Sequence, residues 1–210
     1  MKSTRRQFLR ATGTAALAGP AILNAQDKTD TKLAIVGKGN FRYACFHDWG
    51  QLPTKLKWQT THGVAVDEAG LVYITHRGDS QEPSDTVVVF DAQGKYVRSF
   101  GKNQHGGGHG IDIRKEGDSE FIYLSNTRKQ TVIKSTLKGD VVWSKTLLKE
   151  TGKYDGDKPK YSPTNVNFMP DGGFVIGDGY GSHYLHRYDK DAKWVNSWGG
   201  FGDTPGKMKT

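Results

Sequence analysis

The sequence predicts an all-β protein built from repeated four-stranded units. Three observations support this prediction. A similar phrase occurs three times, each copy holds four short runs rich in β-branched and aromatic residues, and Gly, Asp and Asn separate the runs. The copies recur at a period of about 45 to 55 residues, which is typical of the blades of a β-propeller. We therefore expect blades arranged around a common axis.

The first 25 residues show the ordered features of an export signal. Arg5 and Arg6 precede Phe8, a weakly apolar stretch covers 11–23, and 23–25 offers a small-residue cleavage site. Adjacent arginines in this setting are similar to the bacterial twin-arginine signal, which predicts a periplasmic or secreted protein. The alternative is a basic amphipathic helix that arose by chance.

The remaining sequence, 26–210, is expected to form one β domain without helices. The predicted segments are strand-like runs at 32–36 and 41–46, blades at 58–101, 104–147 and 161–199, and a charged, Gly-rich surface loop at 149–160. The stretch after residue 199 is typical of a connector that leads to another blade. We therefore expect an incomplete, N-terminal part of a propeller with three to four blades.

The composition excludes several classes of partner. The chain has 210 residues, 35% of them hydrophobic, and a formal charge of +8. The signal segment holds four of the 30 basic residues and no acidic one, so the remainder is only about +4 and shows no basic stripe with interleaved aromatics. We expect no nucleic-acid partner, and no apolar run is long enough for a stable membrane span. Cys45 is the only cysteine, which excludes an intrachain disulfide.

Two histidines occupy equivalent places in the first two repeats. His62 and His109 both come directly before a glycine and a β-branched residue at the start of an inner strand. Because the inner strands of a propeller line its channel, these imidazoles are expected to converge and could bind zinc. Two histidines do not complete a catalytic zinc site, and the alternative is a histidine that bonds a backbone carbonyl at a turn.

Two rim residues are candidates for catalysis. Arg77 and Tyr180 follow the second strands of the first and third blades, which places them on one rim. An arginine there could hold a carboxylate with two hydrogen bonds, and a tyrosine could act as a base if a cation lowered its pKa. The alternative is that 77–79 and 178–179 are ordinary turn sequences.

The ordered motifs resemble the NHL repeat and, more narrowly, the lyase domain of peptidylglycine α-amidating enzymes and its bacterial secreted relatives. The matching motifs are His76-Arg77-Gly78-Asp79, Gly108-His109-Gly110, Pro163-Thr164-Asn165 and Gly177-Asp178-Gly179-Tyr180-Gly181, together with 85–91 and 194–199. The resemblance covers 41–210. It implies a six-bladed NHL-type propeller that cleaves a peptidyl-α-hydroxyglycine to a peptide amide and glyoxylate, with a zinc centre and a structural calcium.

The resemblance also implies roles for individual residues. His109 would be a zinc ligand, Tyr180 the base, and Arg77 the group that orients the substrate. The family's other zinc histidines and a second arginine lie in later blades, and His62 stands where the family uses no histidine ligand. The expected function is thus an exported zinc-dependent lyase acting on a small peptide or other small molecule. The alternatives are a non-catalytic propeller that binds a ligand or a protein, and two chains that pair edge to edge.

Overall fold

The computed structural model describes residues 33–78, 81–155 and 160–209, so the predicted signal at 1–25 lies outside the described residues. The chain divides into two compact units with the boundary between Trp49 and Gly50. In the first unit, β1 (Ala34–Lys38) and β2 (Phe41–Cys45) form an antiparallel hairpin with Val36 opposite Tyr43. These two strands agree with the strand-like runs that the sequence predicts.

The second unit contains three four-stranded antiparallel sheets within its described residues. The first blade consists of β3 (Thr61–Val66), β4 (Val72–His76), β5 (Val87–Phe90) and β6 (Tyr96–Phe100). The second consists of β7 (Gly108–Glu116), β8 (Ser119–Asn126), β9 (Thr131–Thr136) and β10 (Val141–Thr146). The third consists of β11 (Asn165–Phe168), β12 (Phe174–Gly177), β13 (Tyr184–Tyr188) and β14 (Trp194–Gly199). Within each sheet the strands pair in chain order. The predicted all-β class and the three predicted four-stranded blades are confirmed.

Aspartates define the hairpin between the third and fourth strands of the first and third blades. Oδ1 of Asp91 accepts hydrogen bonds from the N–H groups of Gln93 and Lys95, at 3.0 and 2.9 Å. Asp189 accepts from the equivalent N–H groups of Asp191 and Lys193. A short carboxylate that bonds backbone groups two and four residues ahead closes a tight turn, which is why aspartate recurs at this point of the repeat.

The first strands of the three blades lie side by side, since β3 packs against β7 and β7 against β11. Small residues permit this approach. A Cβ on Gly110 would lie 2.3 Å from Oδ1 of Asn165, and one on Gly63 would lie 2.9 Å from the backbone nitrogen of Ile111. The glycine of each His-Gly motif therefore lets one inner strand contact the next, and the histidine before it is brought to the junction.

The hydrophobic core lies between neighbouring blades. One cluster joins Tyr73, Val87 and Val89 to Ile122 and Leu124 of the second blade. The other joins the second blade to the third and is rich in stacked and edge-on aromatic rings: Tyr123, Phe174 and Tyr188, with Trp143 and Phe168 at its margin. Aromatic pairs of this kind add to the stabilisation from buried apolar area.

Most described residues of the segment predicted as a surface loop at 149–160 are exposed, but two are not. Thr151 and Tyr154 are buried, and Tyr154 belongs to the aromatic cluster between the second and third blades. The physical reason is that the Tyr154 ring packs on Tyr161 while its hydroxyl finds buried polar partners, so charged neighbours in sequence do not keep it at the surface. Helical structure in the described residues is limited to the 3₁₀ turns Lys102–Gln104 and Lys149–Thr151. None of these helical segments has the length and apolar character needed to cross a bilayer.

Candidate functional site

One cleft gathers the four residues that the sequence singles out. It has a volume of about 460 Å³ and is lined by His62, Arg77, His109 and Tyr180 together with Gly106, Thr127, Arg128 and Ser162. All three blades contribute to it. Residues from three repeats therefore meet at one end of the inner strands, as convergence in a propeller requires.

His109 is held in one orientation and one tautomer. Its Nδ1 lies 2.8 Å from the carbonyl oxygen of Thr164, and its backbone carbonyl accepts a hydrogen bond from the Thr75 hydroxyl. A carbonyl can only accept, so Nδ1 carries the proton and Nε2 of the neutral ring presents a lone pair. The Tyr180 hydroxyl lies 3.3 Å from that Nε2 and donates to it. The cleft thus contains a phenol paired with a basic imidazole nitrogen.

His62 lies against His109. The two rings stack at 4.1 Å between centroids with an interplanar angle of 23°. The pKa of His62 is lowered, first by desolvation and then by electrostatic interactions with His109 and Arg77. Stacked imidazoles beside a guanidinium disfavour a further positive charge, so His62 is held neutral at pH values where a free imidazole begins to protonate.

Two arginines from neighbouring blades line the same cleft. The backbone of Arg77 is fixed by its N–H bond to Thr60 and by the bond its carbonyl accepts from Gly106. Arg128 belongs to the turn after β8, and the sequence analysis missed it. Arg128 follows Asn126 by two positions as Tyr180 follows Asp178, and Asn126 and Asp178 stand at the same repeat position. An alignment of the second strands would have shown Arg128 as a rim residue.

A buried carboxylate anchors the loop that holds Tyr180. Asp178 is 1% exposed and accepts hydrogen bonds from the backbone N–H of Ser162 at 2.7 Å, the N–H of Ser182 at 2.6 Å and the Tyr154 hydroxyl at 2.9 Å. Because Ser182 follows Tyr180 by two residues and the N–H of Tyr180 bonds the carbonyl of Ser162, both sides of the loop are tied down. Asp178 is therefore a positioning residue for the phenol.

His186 extends this buried network away from the cleft. Its Nε2 lies 2.6 Å from the Tyr154 hydroxyl and its Nδ1 lies 2.7 Å from the Ser197 hydroxyl. Burial lowers the pKa of His186 to about 4. His186 is therefore a buried residue that packs within the third blade.

The described residues do not fit a zinc ion by themselves. A catalytic zinc site takes three protein ligands, whereas this cleft offers two stacked imidazoles and no lining carboxylate or thiolate among its described residues. Within the described ranges, no group of three or more His, Cys, Asp or Glu side chains is placed to hold any metal, calcium included. Two guanidinium groups in the same cleft favour an anion instead.

Comparison with known proteins gives similarity to solved structures only. No protein-family model and no curated protein matches the chain. Virginiamycin B lyase from Staphylococcus aureus is similar at 16% identity and a TM-score of 0.45, covering 70% of this chain and 42% of that one. A protein of unknown function from Bacteroides caccae gives 12% identity, coverages of 75% and 48% and a TM-score of 0.40. Hydrazine synthase from Kuenenia stuttgartiensis is similar at 18% identity and a TM-score of 0.43, covering 65% of this chain and 36% of that one.

This chain spans less than half the length of each of those structures. At these identities and TM-scores, no activity is transferred from them to this chain. The fold assignment rests on the three four-stranded sheets themselves, and the function has to be argued from the cleft.

Proposed function

We propose that the cleft binds a small carboxylate-bearing substrate and that Tyr180 and His109 move a proton during its cleavage by a lyase reaction. The observation that supports this most is the Tyr180 hydroxyl, which donates to the lone pair of an imidazole whose other nitrogen is bound to a carbonyl. A phenol joined to a base can take a substrate proton while it passes its own to the imidazole. It need not be ionised beforehand.

The separation of 3.3 Å is longer than the usual O–H···N contact, so the two atoms would move closer for proton transfer. His109 can accept the proton because Thr164 already bonds its Nδ1–H, which stabilises the imidazolium that forms. His62 is stacked on the same ring, and its lowered pKa keeps a second charge away from that imidazolium.

Arg77 and Arg128 supply the groups that would hold the carboxylate. A guanidinium matches a carboxylate with two parallel hydrogen bonds, and a cleft with no described lining carboxylate leaves both arginines to face the ligand. Ser162 and Thr127 add two more polar residues to the same lining. This combination favours an α-substituted acid over a neutral or cationic substrate.

A peptidyl-α-hydroxyglycine, the substrate of the family named above, suits this arrangement. Its carboxylate would bind the arginines, and its carbinol hydroxyl would give its proton to Tyr180 as Tyr180 gives one to His109. The C–N bond then breaks, and its electron pair goes to the amide nitrogen. Tyr180 and His109 return the proton to that nitrogen. The products are a peptide amide and glyoxylate, and every atom is accounted for.

We further propose that the protein is exported by the twin-arginine route.

The test is glyoxylate and amide release from synthetic N-benzoyl-α-hydroxyglycine. Tyr180→Phe should lower kcat/KM at least about 100-fold, because loss of a positioned acid–base group has an effect of that order. Tyr43→Phe, which removes an exposed phenol from the β1–β2 hairpin, is the control and should leave the rate unchanged. Full activity of Tyr180→Phe would refute the assignment.

The alternative, a propeller that binds a ligand without converting it, is favoured by the exposure of Tyr180. Tyr180 is 67% exposed, whereas groups that transfer protons are usually better shielded from water. Under this alternative the wild-type chain would bind the acid but release no glyoxylate, and Tyr180→Phe would change affinity alone. The same two measurements therefore separate the two functions.

A further inference from the structure

A second basic cleft adjoins the first. It has a volume of about 710 Å³ and is lined by Gln81, Pro83, Lys102, His105, Arg128 and Lys129. Arg128 lines both clefts, so the two form neighbouring parts of one surface. Gly106 makes this possible. Its φ is +94°, and a Cβ there would lie 2.7 Å from Cδ of Arg128, so the arginine stem lies over bare backbone.

The two loops that carry the cations are tied together by a buried amide. Nδ2 of Asn126 donates to the carbonyl of Gln104 at 2.7 Å, and Oδ1 of Asn126 accepts from the N–H of Lys129 at 2.8 Å. Asn126 is fully buried. The 3₁₀ turn Lys102–Gln104 and the turn after β8 are therefore held in a fixed relation, and Lys129 adds a bond from its ammonium to the carbonyl of Asn103. The positively charged side chains are therefore preorganised for ligand binding.

These charges are available to an anion. Among the described residues, no carboxylate lies within ion-pair distance of Lys102, Arg128 or Lys129, whereas seven other basic side chains of the chain are paired. Glu82 stands between two lining residues in the sequence but is not among the side chains that line the cleft. A cluster of cations without a described ion-pair partner raises the local concentration of acidic ligands.

We propose that this second cleft is a specificity subsite for an acidic side chain next to the carboxylate held in the first cleft. The inference rests on the proposed function, because it takes the terminal carboxylate as bound by Arg77 and Arg128. Neighbouring Cα atoms in a peptide are about 3.8 Å apart, so the side chain of the residue before the terminal one reaches the adjoining cleft. The preferred ligand is then a peptide acid with Glu or Asp before its last residue.

The experiment compares the binding of N-acetyl-Glu-Gly and N-acetyl-Gln-Gly to the full chain by calorimetry. The two peptides have the same shape and end in the same carboxylate, and they differ by one charge. We expect the Glu peptide to bind about 5-fold more tightly at 50 mM salt and less than about 2-fold more tightly at 0.5 M salt, because exposed pairs are weak and screened. The double variant Lys102→Gln/Lys129→Gln should lose the preference, and Lys138→Gln, at an exposed position in the turn after β9, should retain it.

Each outcome decides something. Equal affinity of the wild-type chain for both peptides overturns the subsite and leaves the proposed function standing. Failure to bind either peptide overturns both proposals. A Glu preference that persists in the double variant also refutes the assignment of the subsite to these lysines. The comparison of peptides and salt concentrations in the wild type needs no variant, so it stands even if the double variant fails to fold.

Discussion

Replacement of Asp178 by asparagine should destabilise the third blade and loosen the loop that holds Tyr180. The carboxylate accepts three hydrogen bonds, from the Ser162 N–H, the Ser182 N–H and the Tyr154 hydroxyl. Oδ2 receives two of them. In Asp178→Asn one of the two carboxylate oxygens becomes an NH₂ donor, so at least one backbone N–H then faces another donor.

The magnitude follows from those contacts. A hydrogen bond to a charged group contributes about 1.5–3 kcal/mol, and a buried group left without its partner costs about 1–3 kcal/mol. If the amide nitrogen takes the place of Oδ1, Tyr154 keeps its bond to the remaining oxygen, and only the backbone N–H of Ser162 faces a donor. We expect a loss of about 3 kcal/mol in the free energy of unfolding. For a unit of this size that corresponds to a fall of about 6–12 °C in Tm.

Urea unfolding followed by tryptophan fluorescence measures this loss, and Asp191→Asn is the matched control. Asp191 pairs with Lys190, and both side chains are more than half exposed, so the control should change stability by less than about 0.5 kcal/mol. The lyase assay gives a second readout, since kcat should fall in Asp178→Asn even below its melting temperature. A loss under about 1 kcal/mol would show that the carboxylate does not anchor the loop.

Two further predictions concern burial and packing. Stability should fall as the pH falls from about 6.5 to about 4, because the unfolded chain binds a proton that the buried His186, with its pKa lowered to about 4, does not. Urea midpoints at pH 7 and about pH 4.5 should differ more in the wild type than in His186→Gln, and equal differences would contradict this. Gly110→Ala should cost more than about 2 kcal/mol, because its Cβ would lie 2.3 Å from Oδ1 of Asn165. Gly177→Ala, whose nearest atom is 3.6 Å away, should be tolerated, and similar melting temperatures for the two variants would refute the packing argument.

The blades could be predicted from sequence because their signals are local. Each strand is a short β-branched run. In the first and third blades the turn between the third and fourth strands is marked by an aspartate, Asp91 or Asp189, that closes it with its own side chain. Tyr154 could not be placed in this way. Its neighbours in sequence are charged, and only the tertiary positions of Tyr161 and Asp178 give its ring and hydroxyl a buried place.

The convergence of the four candidate residues in one cleft also follows from the repeat, because equivalent positions in neighbouring blades lie side by side. The sequence could not give the contacts within the cleft. The stacking of His62 on His109 depends on the close approach that Gly63 and Gly110 allow, and Arg128 becomes a cleft residue only because Gly106 leaves room for its stem. The binding of zinc by His62 and His109 stays a prediction, and the described residues supply too few ligands for it.

The chemistry of this cleft arises where the repeats differ. Thr164 occupies the position that histidine holds in the first two blades, so the third blade offers His109 a backbone carbonyl acceptor but no third imidazole. That acceptor fixes the proton on Nδ1, and the lone pair left on Nε2 is what Tyr180 meets. A histidine at 164 would retain the carbonyl and add a ring beside His109. The substitution Thr164→His would therefore bring a third imidazole to the junction, which is the change that would make this cleft a metal site.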